Sequence, residues 1–119
     1  MNQEIKQRWV EALRSGEYKQ GYEYLYNCGA FCCLGVLTDL YIKEHGFQWK
    51  RKPDDIRSFE GHSSLLPESV QEWAGIFGSM PVILGESAVS YNDTYKYSFD
   101  KIANLIEEDK DLWPRWAST

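Results

Sequence analysis

Three cysteines fall within six positions of a chain that has no others. They are Cys28, Cys32 and Cys33, in the stretch NCGAFCCLGVL at 27–37. Closely spaced thiolates can hold a metal ion or act as nucleophiles, and a neutral thiol can fill a hydrophobic core. An odd number of cysteines cannot complete a framework of intramolecular disulfides. The stretch therefore raises three alternatives, which are a metal site, a nucleophile and a piece of core.

A zinc site needs four thiolate or imidazole ligands, and the nearest candidate set is Cys28, Cys32, His45 and His62. His45 lies near the far end of the helix predicted to contain Cys32, so the two are roughly 15 Å or more apart. One ion cannot be shared across that distance. We therefore predict no metal site and no cofactor.

A nucleophilic cysteine is favoured at a helix N-terminus, where Cys28 and Cys32 are expected to lie. No histidine partner can be placed from the sequence, and the chain has no Walker loop, dinucleotide fingerprint, HExxH or GxSxG motif. A small hydrolase that uses Cys28 or the carboxylate of Asp93 stays open as an alternative. The apolar neighbours Leu34 and Val36 favour buried core for all three cysteines, and we predict no catalytic residue.

Two other segments combine aromatic side chains with polar or charged ones. WKRK, at 49–52, could hold a phosphate or a nucleotide by charge and stacking, although a solvated loop explains it as well. SYNDTY, at 90–95, could contribute to a site, or its Asn and Asp could simply bond their own backbone in a turn. The predicted ligand- or partner-binding residues are Trp49, Arg51, Tyr91, Asn92 and Asp93.

Length and composition limit the classes of function. The 119 residues fit one domain, 1–119, and the formal net charge of −5 argues against bulk binding of nucleic acid. No apolar run is long enough to span a bilayer, and the first residues lack the apolar stretch of a signal peptide. We therefore expect a cytoplasmic protein with reduced thiols and no membrane partner.

Four helices are predicted to position these residues. Helical periodicity and end signals place them at 3–15, at 30–44, from Pro67 onward and at 99–109, the last capped by Ser98. The 30–44 helix is apolar nearly all round in its first half, so it should be buried at the centre. Gly35 within it suggests close approach by another element. Gly75 and Ile76 match a left-handed helix end.

The other segments predict short strands and loops. YEYLYN, at 22–27, is a strand or an ordered loop, and 47–64 is a long loop with a possible strand at 47–49. MPVIL and ESAVSY suggest two extended segments around Gly85, followed by a turn in NDTYKY. The tryptophans of the tail, Trp113 and Trp116, should dock against the domain. The predicted fold is α+β, with about four helices around a buried central helix and a small antiparallel sheet.

The order of motifs carries a resemblance. WVEALRSGEYKQG, FCCLGVLTDLY, LPESVQEWAG, YND and SFDKIANLIEE follow one another in this chain. This order resembles a widespread family of small bacteriophage and prophage proteins with no settled activity. The family often has a cysteine where this chain has Thr38, which further weakens a metal site.

The resemblance implies a function in a host cell. A small phage accessory protein without catalytic motifs often acts by stoichiometric binding. We therefore expect a non-catalytic, host-cytoplasmic protein that inhibits a host function, in particular defence, by binding a host protein. The alternative ligand is a nucleotide immune signal, which would need a concave site lined by aromatic and cationic side chains. The oligomeric state is open.

Overall fold

The fold is α+β, as predicted, in a computed structural model that describes residues 1–110. Its helices are α1 (Gln3–Arg14), α2 (Cys33–His45), α3 (Glu68–Ala74), a π-helix (Ser90–Thr94) and α4 (Phe99–Glu108). Its strands are β1 (Lys19–Gln20), β2 (Tyr26–Asn27), β3 (Ala30–Phe31), β4 (Ile56–Arg57), β5 (Val82–Ile83) and β6 (Glu86–Ser87). The tail that contains Trp113 and Trp116 lies outside the described residues.

The central helix is α2, and its first half is buried on all sides. Every residue at 33–39 is buried, whereas residues 43–45 are exposed. Helix α1 packs against it, and the Trp9 indole Nε1 donates a 2.9 Å hydrogen bond to the Cys33 carbonyl. The apolar run therefore makes α2 the centre of the core, as its pattern predicts.

Gly35 allows the backbone before β2 to touch α2. A Cβ atom built on Gly35 would lie only 1.8 Å from the carbonyl oxygen of Leu25. No side chain fits in that space, so the predicted close approach is confirmed.

Helix α2 begins three residues later than predicted, because Ala30–Phe31 forms β3. Strands β2 and β3 make a hairpin with Cys28 and Gly29 as its two-residue loop. Both loop residues have positive φ, 51° and 83°, which is the geometry of a type I′ turn. Residues that helical periodicity assigned to the helix therefore form a strand instead, because they pair with neighbouring strands.

The strands form a four-stranded sheet and a two-stranded sheet. The strand order of the larger sheet is β1-β3-β2-β4, in which only β1 and β3 are parallel. Strands β5 and β6 form an antiparallel hairpin around Gly85. The two extended segments predicted there are found, but only 82–83 and 86–87 belong to them.

Residues 88–94 are helical, which corrects the prediction of an extended ESAVSY and a turn in NDTYKY. The Tyr95 backbone N–H donates to the Ser90 carbonyl at 2.9 Å, the five-residue spacing of a π-helix. Tyr91 and Asn92 are buried against other elements, so tertiary contacts decide the local conformation here.

Two of the predicted helix ends, the Ser98 cap and the Gly75 end, are confirmed. The Ser98 hydroxyl accepts from the Lys101 N–H at the start of α4, and Gly75 has a φ of 70° after α3 with Ile76 buried beside it. Helix α3 begins at Glu68, one residue after the predicted Pro67.

Among residues 1–110, no helix is both long and apolar enough to cross a membrane.

The predicted 47–64 loop contains a hairpin-like segment at 50–58. Lys50 and Ser58 pair through two backbone hydrogen bonds, of 2.8 and 3.1 Å, and β4 pairs with β2. The short strand suggested at 47–49 does not form. This hairpin places the basic segment at 49–52 beside the end of α2.

Candidate binding site

The five sequence-predicted site residues lie in two separate regions. Trp49 and Arg51 line a groove beside α2, to which residues 90–94 do not contribute. Tyr91, Asn92 and Asp93 lie together on the π-helix. The structure therefore does not assemble the five into one site.

Asn92 is fully buried, and its side chain ties three elements together. Its Oδ1 accepts hydrogen bonds from the Cys33 N–H at 3.2 Å and from the Gln20 amide at 3.0 Å. Its Nδ2 donates to the Gly21 carbonyl at 2.9 Å and to Asp93 Oδ1 at 2.7 Å. Cys32, which precedes α2, offers no side-chain cap, so Asn92 caps this helix from another part of the chain.

The residues next to Asn92 are also held by hydrogen bonds within the fold. Asp93 Oδ1 also accepts from the Glu23 N–H at 3.0 Å. Tyr91 is buried, its hydroxyl donates to the Ile83 carbonyl at 2.8 Å, and its burial raises its pKa. The polar atoms of Asn92 are thus occupied by contacts within the fold, and one oxygen of Asp93 has two such partners.

The groove beside α2 has a volume of about 230 Å³ and an aromatic and cationic lining. Helix α2 contributes one buried residue at its floor, and the segment at 47–57 contributes the rest. We call it the basic groove and define it by Ile42, Phe47, Gln48, Trp49, Arg51 and Arg57.

Trp49 is fixed in the groove by a buried carboxylate. Its Nε1 donates a 2.9 Å hydrogen bond to Asp39 Oδ1, and Asp39 is only 6% exposed. The other oxygen, Oδ2, accepts from the Tyr18 hydroxyl at 2.6 Å and pairs with Lys43 Nζ at 3.0 Å. Burial, together with the bond to Asp39, raises the pKa of Tyr18 to about 12. The indole is therefore held in place without any ligand.

Two arginines supply the positive charge of the groove. Within residues 1–110, neither Arg51 nor Arg57 makes a side-chain hydrogen bond or an ion pair. The Arg57 guanidinium carbon lies 4.1 Å from the centre of the Tyr26 ring, and its Nε is buried without a hydrogen-bond partner. The sequence prediction missed Arg57, because only strand pairing, of β4 with β2 and of Lys50 with Ser58, brings it into the groove with Trp49.

A cluster of rings extends from the groove along α2. We call it the aromatic face. Its ring centres lie 4.2 to 6.0 Å from their nearest neighbours, and it consists of Tyr41, His45, Phe47, Phe59 and Trp73.

Polar side chains border one side of this face. The Arg8 guanidinium lies 5.6 Å from the Trp73 ring and pairs with Glu44 at 2.6 Å. Glu44 also accepts a 2.8 Å hydrogen bond from Trp73 Nε1, and its bond to Arg8 lowers its pKa. Trp73 is thus oriented while part of its surface is exposed.

The three cysteines do not share one environment. Cys32 and Cys33 are buried in the core, as predicted, and burial raises the pKa of Cys32 to about 12 and that of Cys33 well above its usual value. Cys28 is exposed, which corrects the prediction that all three are core, because it occupies the hairpin turn rather than the helix. Among residues 1–110, no group of three or more His, Cys, Asp or Glu side chains could hold a metal ion.

The comparisons with known proteins give a family and no characterised relative. No curated protein and no solved structure matches the chain. Residues 1–110, which include both regions described above, match the family described as "Domain of unknown function (DUF8296)". The chain therefore belongs to that family.

Proposed function

We propose that this protein is a non-catalytic, phage-type binding protein that inhibits a host defence function by binding a host protein. Two lines of support lead to it. The order of sequence motifs resembles small phage and prophage proteins, and the aromatic face offers a surface suited to a protein partner. The observation that carries the proposal is the exposure of Phe47, at 51%, within a packed cluster of rings.

Rings that are half-exposed and held by their neighbours suit protein recognition. Aromatic and arginine side chains are enriched at the centres of interfaces, where burial against a partner gives large contact areas at little entropic cost. The ring centre of Phe47 lies 6.0 Å from that of His45, whose ring is nearly parallel to it, and 6.0 Å from that of Phe59. Its position is therefore supported from within the protein, so little order has to be gained on binding.

The border of the aromatic face is polar, as expected for a water-excluding interface. Arg8 and Glu44 lie beside Trp73, and both are partly exposed. A partner that covers Phe47 and Trp73 would place this ion pair at the edge, where it adds orientation more than affinity.

The test is an affinity capture from host lysate that compares two single-residue variants. Phe47→Ala removes the central exposed ring, and Met80→Ala removes another apolar side chain of similar exposure, 49%, on a different segment. We expect Phe47→Ala to weaken recovery of the partner by roughly tenfold, the effect of a moderate interface anchor. Met80→Ala should not change the recovery.

A captured protein supports the proposal only if two further conditions hold. The purified partner must bind the wild-type chain directly, and binding must reduce the partner's own activity. Equal recovery by both variants, or capture of no protein at all, would overturn the proposal. Circular dichroism and thermal unfolding of each variant verify that both are folded.

A further inference from the structure

The basic groove combines, in one concavity, the two kinds of side chain that bind a nucleotide. We infer that it is a binding site for a nucleoside monophosphate, with the base against Trp49 and Phe47 and the phosphate on Arg51 and Arg57. This ligand class differs from the host protein proposed above. Both would contact Phe47, and the arginine variants described below test the nucleotide site separately.

The aromatic part of the groove is already in position. Trp49 is anchored through Nε1 to Asp39 and packs near Tyr26 and Phe31, with ring centres 6.1 and 6.4 Å away. Phe47 lines the same groove and is half-exposed. Stacking of a base on an aromatic ring contributes about 1–3 kcal/mol, and a fixed ring loses little freedom when the base arrives.

The cationic part has no counter-ion among the described residues, although the Arg57 guanidinium stacks on Tyr26. Arg51 and Arg57 have no carboxylate partner within the described residues, and the buried Nε of Arg57 has no acceptor. Planar guanidinium groups suit phosphate oxygens because they donate two parallel hydrogen bonds. Lys50 and Lys52 lie on the same hairpin, and so do Asp54 and Asp55, so four cations against two carboxylates leave this segment positive on a chain whose net charge is −5.

The size of the groove restricts the ligand. Its volume of about 230 Å³ is below the roughly 300–1,000 Å³ of sites that enclose a drug-sized molecule. One base with its sugar and a single phosphate fits this scale if part of the ligand stays exposed. A polynucleotide would need a longer basic track, and the acidic remainder of the chain would repel it.

The test is calorimetric titration of the full chain with adenosine monophosphate, guanosine monophosphate and uridine monophosphate. We expect the two purine nucleotides to bind more tightly than uridine monophosphate, because their larger rings stack better on Trp49. Adenosine without its phosphate, and inorganic phosphate alone, should each bind at least about tenfold more weakly than adenosine monophosphate.

Variants assign the binding to the groove. Arg51→Gln and Arg57→Gln should each weaken adenosine monophosphate binding by about tenfold, since each removes a charge-assisted contact. Lys101→Gln is the matched control, because it removes the same charge from a side chain stacked on Tyr97 at 3.7 Å on another surface. It should leave the dissociation constant unchanged.

Four outcomes would overturn the inference. These are no binding of any mononucleotide at millimolar concentration, equal binding of inorganic phosphate, an unchanged affinity in both arginine variants, and far tighter binding of a single-stranded oligonucleotide. The second outcome would indicate an adventitious anion only. The fourth would show that the groove binds single-stranded nucleic acid rather than a mononucleotide.

Discussion

Polar side chains lie against aromatic and apolar surface both at the first turns of α2 and in the hairpin at 50–58. The two regions differ in whether these polar groups have hydrogen-bonding partners. At the start of α2, the buried Asn92 side chain has four partners, and Gly35 is in direct contact with the Leu25 carbonyl. In the hairpin, the side chains of Arg51 and Arg57 have no hydrogen-bonding partner within the described residues, although they line a groove.

The difference separates a polar group that maintains the fold from one that is available to a ligand. A buried amide must be paired, because each unsatisfied donor or acceptor costs about 1–3 kcal/mol. Arg51 is exposed and keeps its hydration, so leaving its side chain unpaired costs far less, and at Arg57 only the buried Nε carries such a cost. The paired region is therefore expected to respond to mutation with unfolding, and the open one with loss of binding.

The largest effect is expected at Gly35. Gly35→Ala would place a methyl group 1.8 Å from the Leu25 carbonyl oxygen, which belongs to the backbone and cannot rotate away. We expect a loss of more than about 4 kcal/mol in the free energy of unfolding, which belongs to the exceptional class of substitutions. Chemical denaturation measures it, with Gly16→Ala, at a glycine that has open space but a positive φ, as the comparison. A milder effect at Gly35 than at Gly16 would contradict the close approach.

The next largest effect is expected at Asn92. Asn92→Ala leaves the Cys33 N–H, the Gln20 amide and the Gly21 carbonyl without this partner, so we expect a loss of about 2–4 kcal/mol. Asn104→Ala, on the exposed surface of α4, is the matched control and should change stability by less than about 1 kcal/mol. Equal effects in urea unfolding would show that Asn92 does not hold the fold together.

Thiol alkylation compares the turn with the core. Under native conditions Cys28 should react at least about a hundredfold faster than Cys32 and Cys33, because the buried thiols react only after local opening. Each 1.4 kcal/mol of free energy needed for that opening slows the reaction about tenfold. Mass spectrometry of the labelled peptides measures the ratio, and Cys28→Ser should remove the fast phase. Rapid labelling of Cys33 would contradict its burial.

The dependence of stability on alkaline pH also tests the burial of Cys32. The pKa of Cys32 is raised to about 12, so burial favours its neutral form, and the stability it contributes is present below pH 9 and is lost as pH rises toward 12. We expect the free energy of unfolding to fall over this pH range, and to fall less steeply in Cys32→Ala than in the wild type. The raised pKa of tyrosine keeps part of this pH dependence in both proteins. Equal slopes, measured by denaturation at several pH values, would contradict this assignment.

The smallest effect is expected in the hairpin. Arg57→Met removes a stacking contact with Tyr26 but also a buried Nε without an acceptor, so stability should change by less than about 0.5 kcal/mol. Thermal unfolding measures this. A large loss would show that Arg57 maintains the fold, like Asn92, and would remove the contrast between the two regions.

The sequence predicted the elements that follow from local chemistry. Helices α1 and α4, the Ser98 cap and the Gly75 end were predicted closely, because periodicity and capping act within a few residues. The buried first half of α2 and the role of Gly35 followed from an apolar run that contains a glycine. The start of α2 and the π-helix could not be predicted, since strand pairing and burial override local preference there.

The candidate site was predicted in part. Trp49 and Arg51 were chosen because a ring next to cations can hold a phosphate, and both line the groove. Arg57 and Phe47 are separated from each other by ten positions, and the pairing of Lys50 with Ser58 brings their two segments together in one concavity. Asn92 and Asp93 were chosen for their polarity, and the structure gives both of them contacts within the fold.

The amino-acid sequence by itself predicted an α+β fold with a buried central helix, because short patterns of residues indicate hydrophobic burial and helix ends. Only the tertiary structure decided which polar groups are paired and which are left open. Pairing depends on contacts between residues far apart in the sequence, such as Gln20 and Asn92, which are 72 positions apart, and no local pattern encodes such a distance.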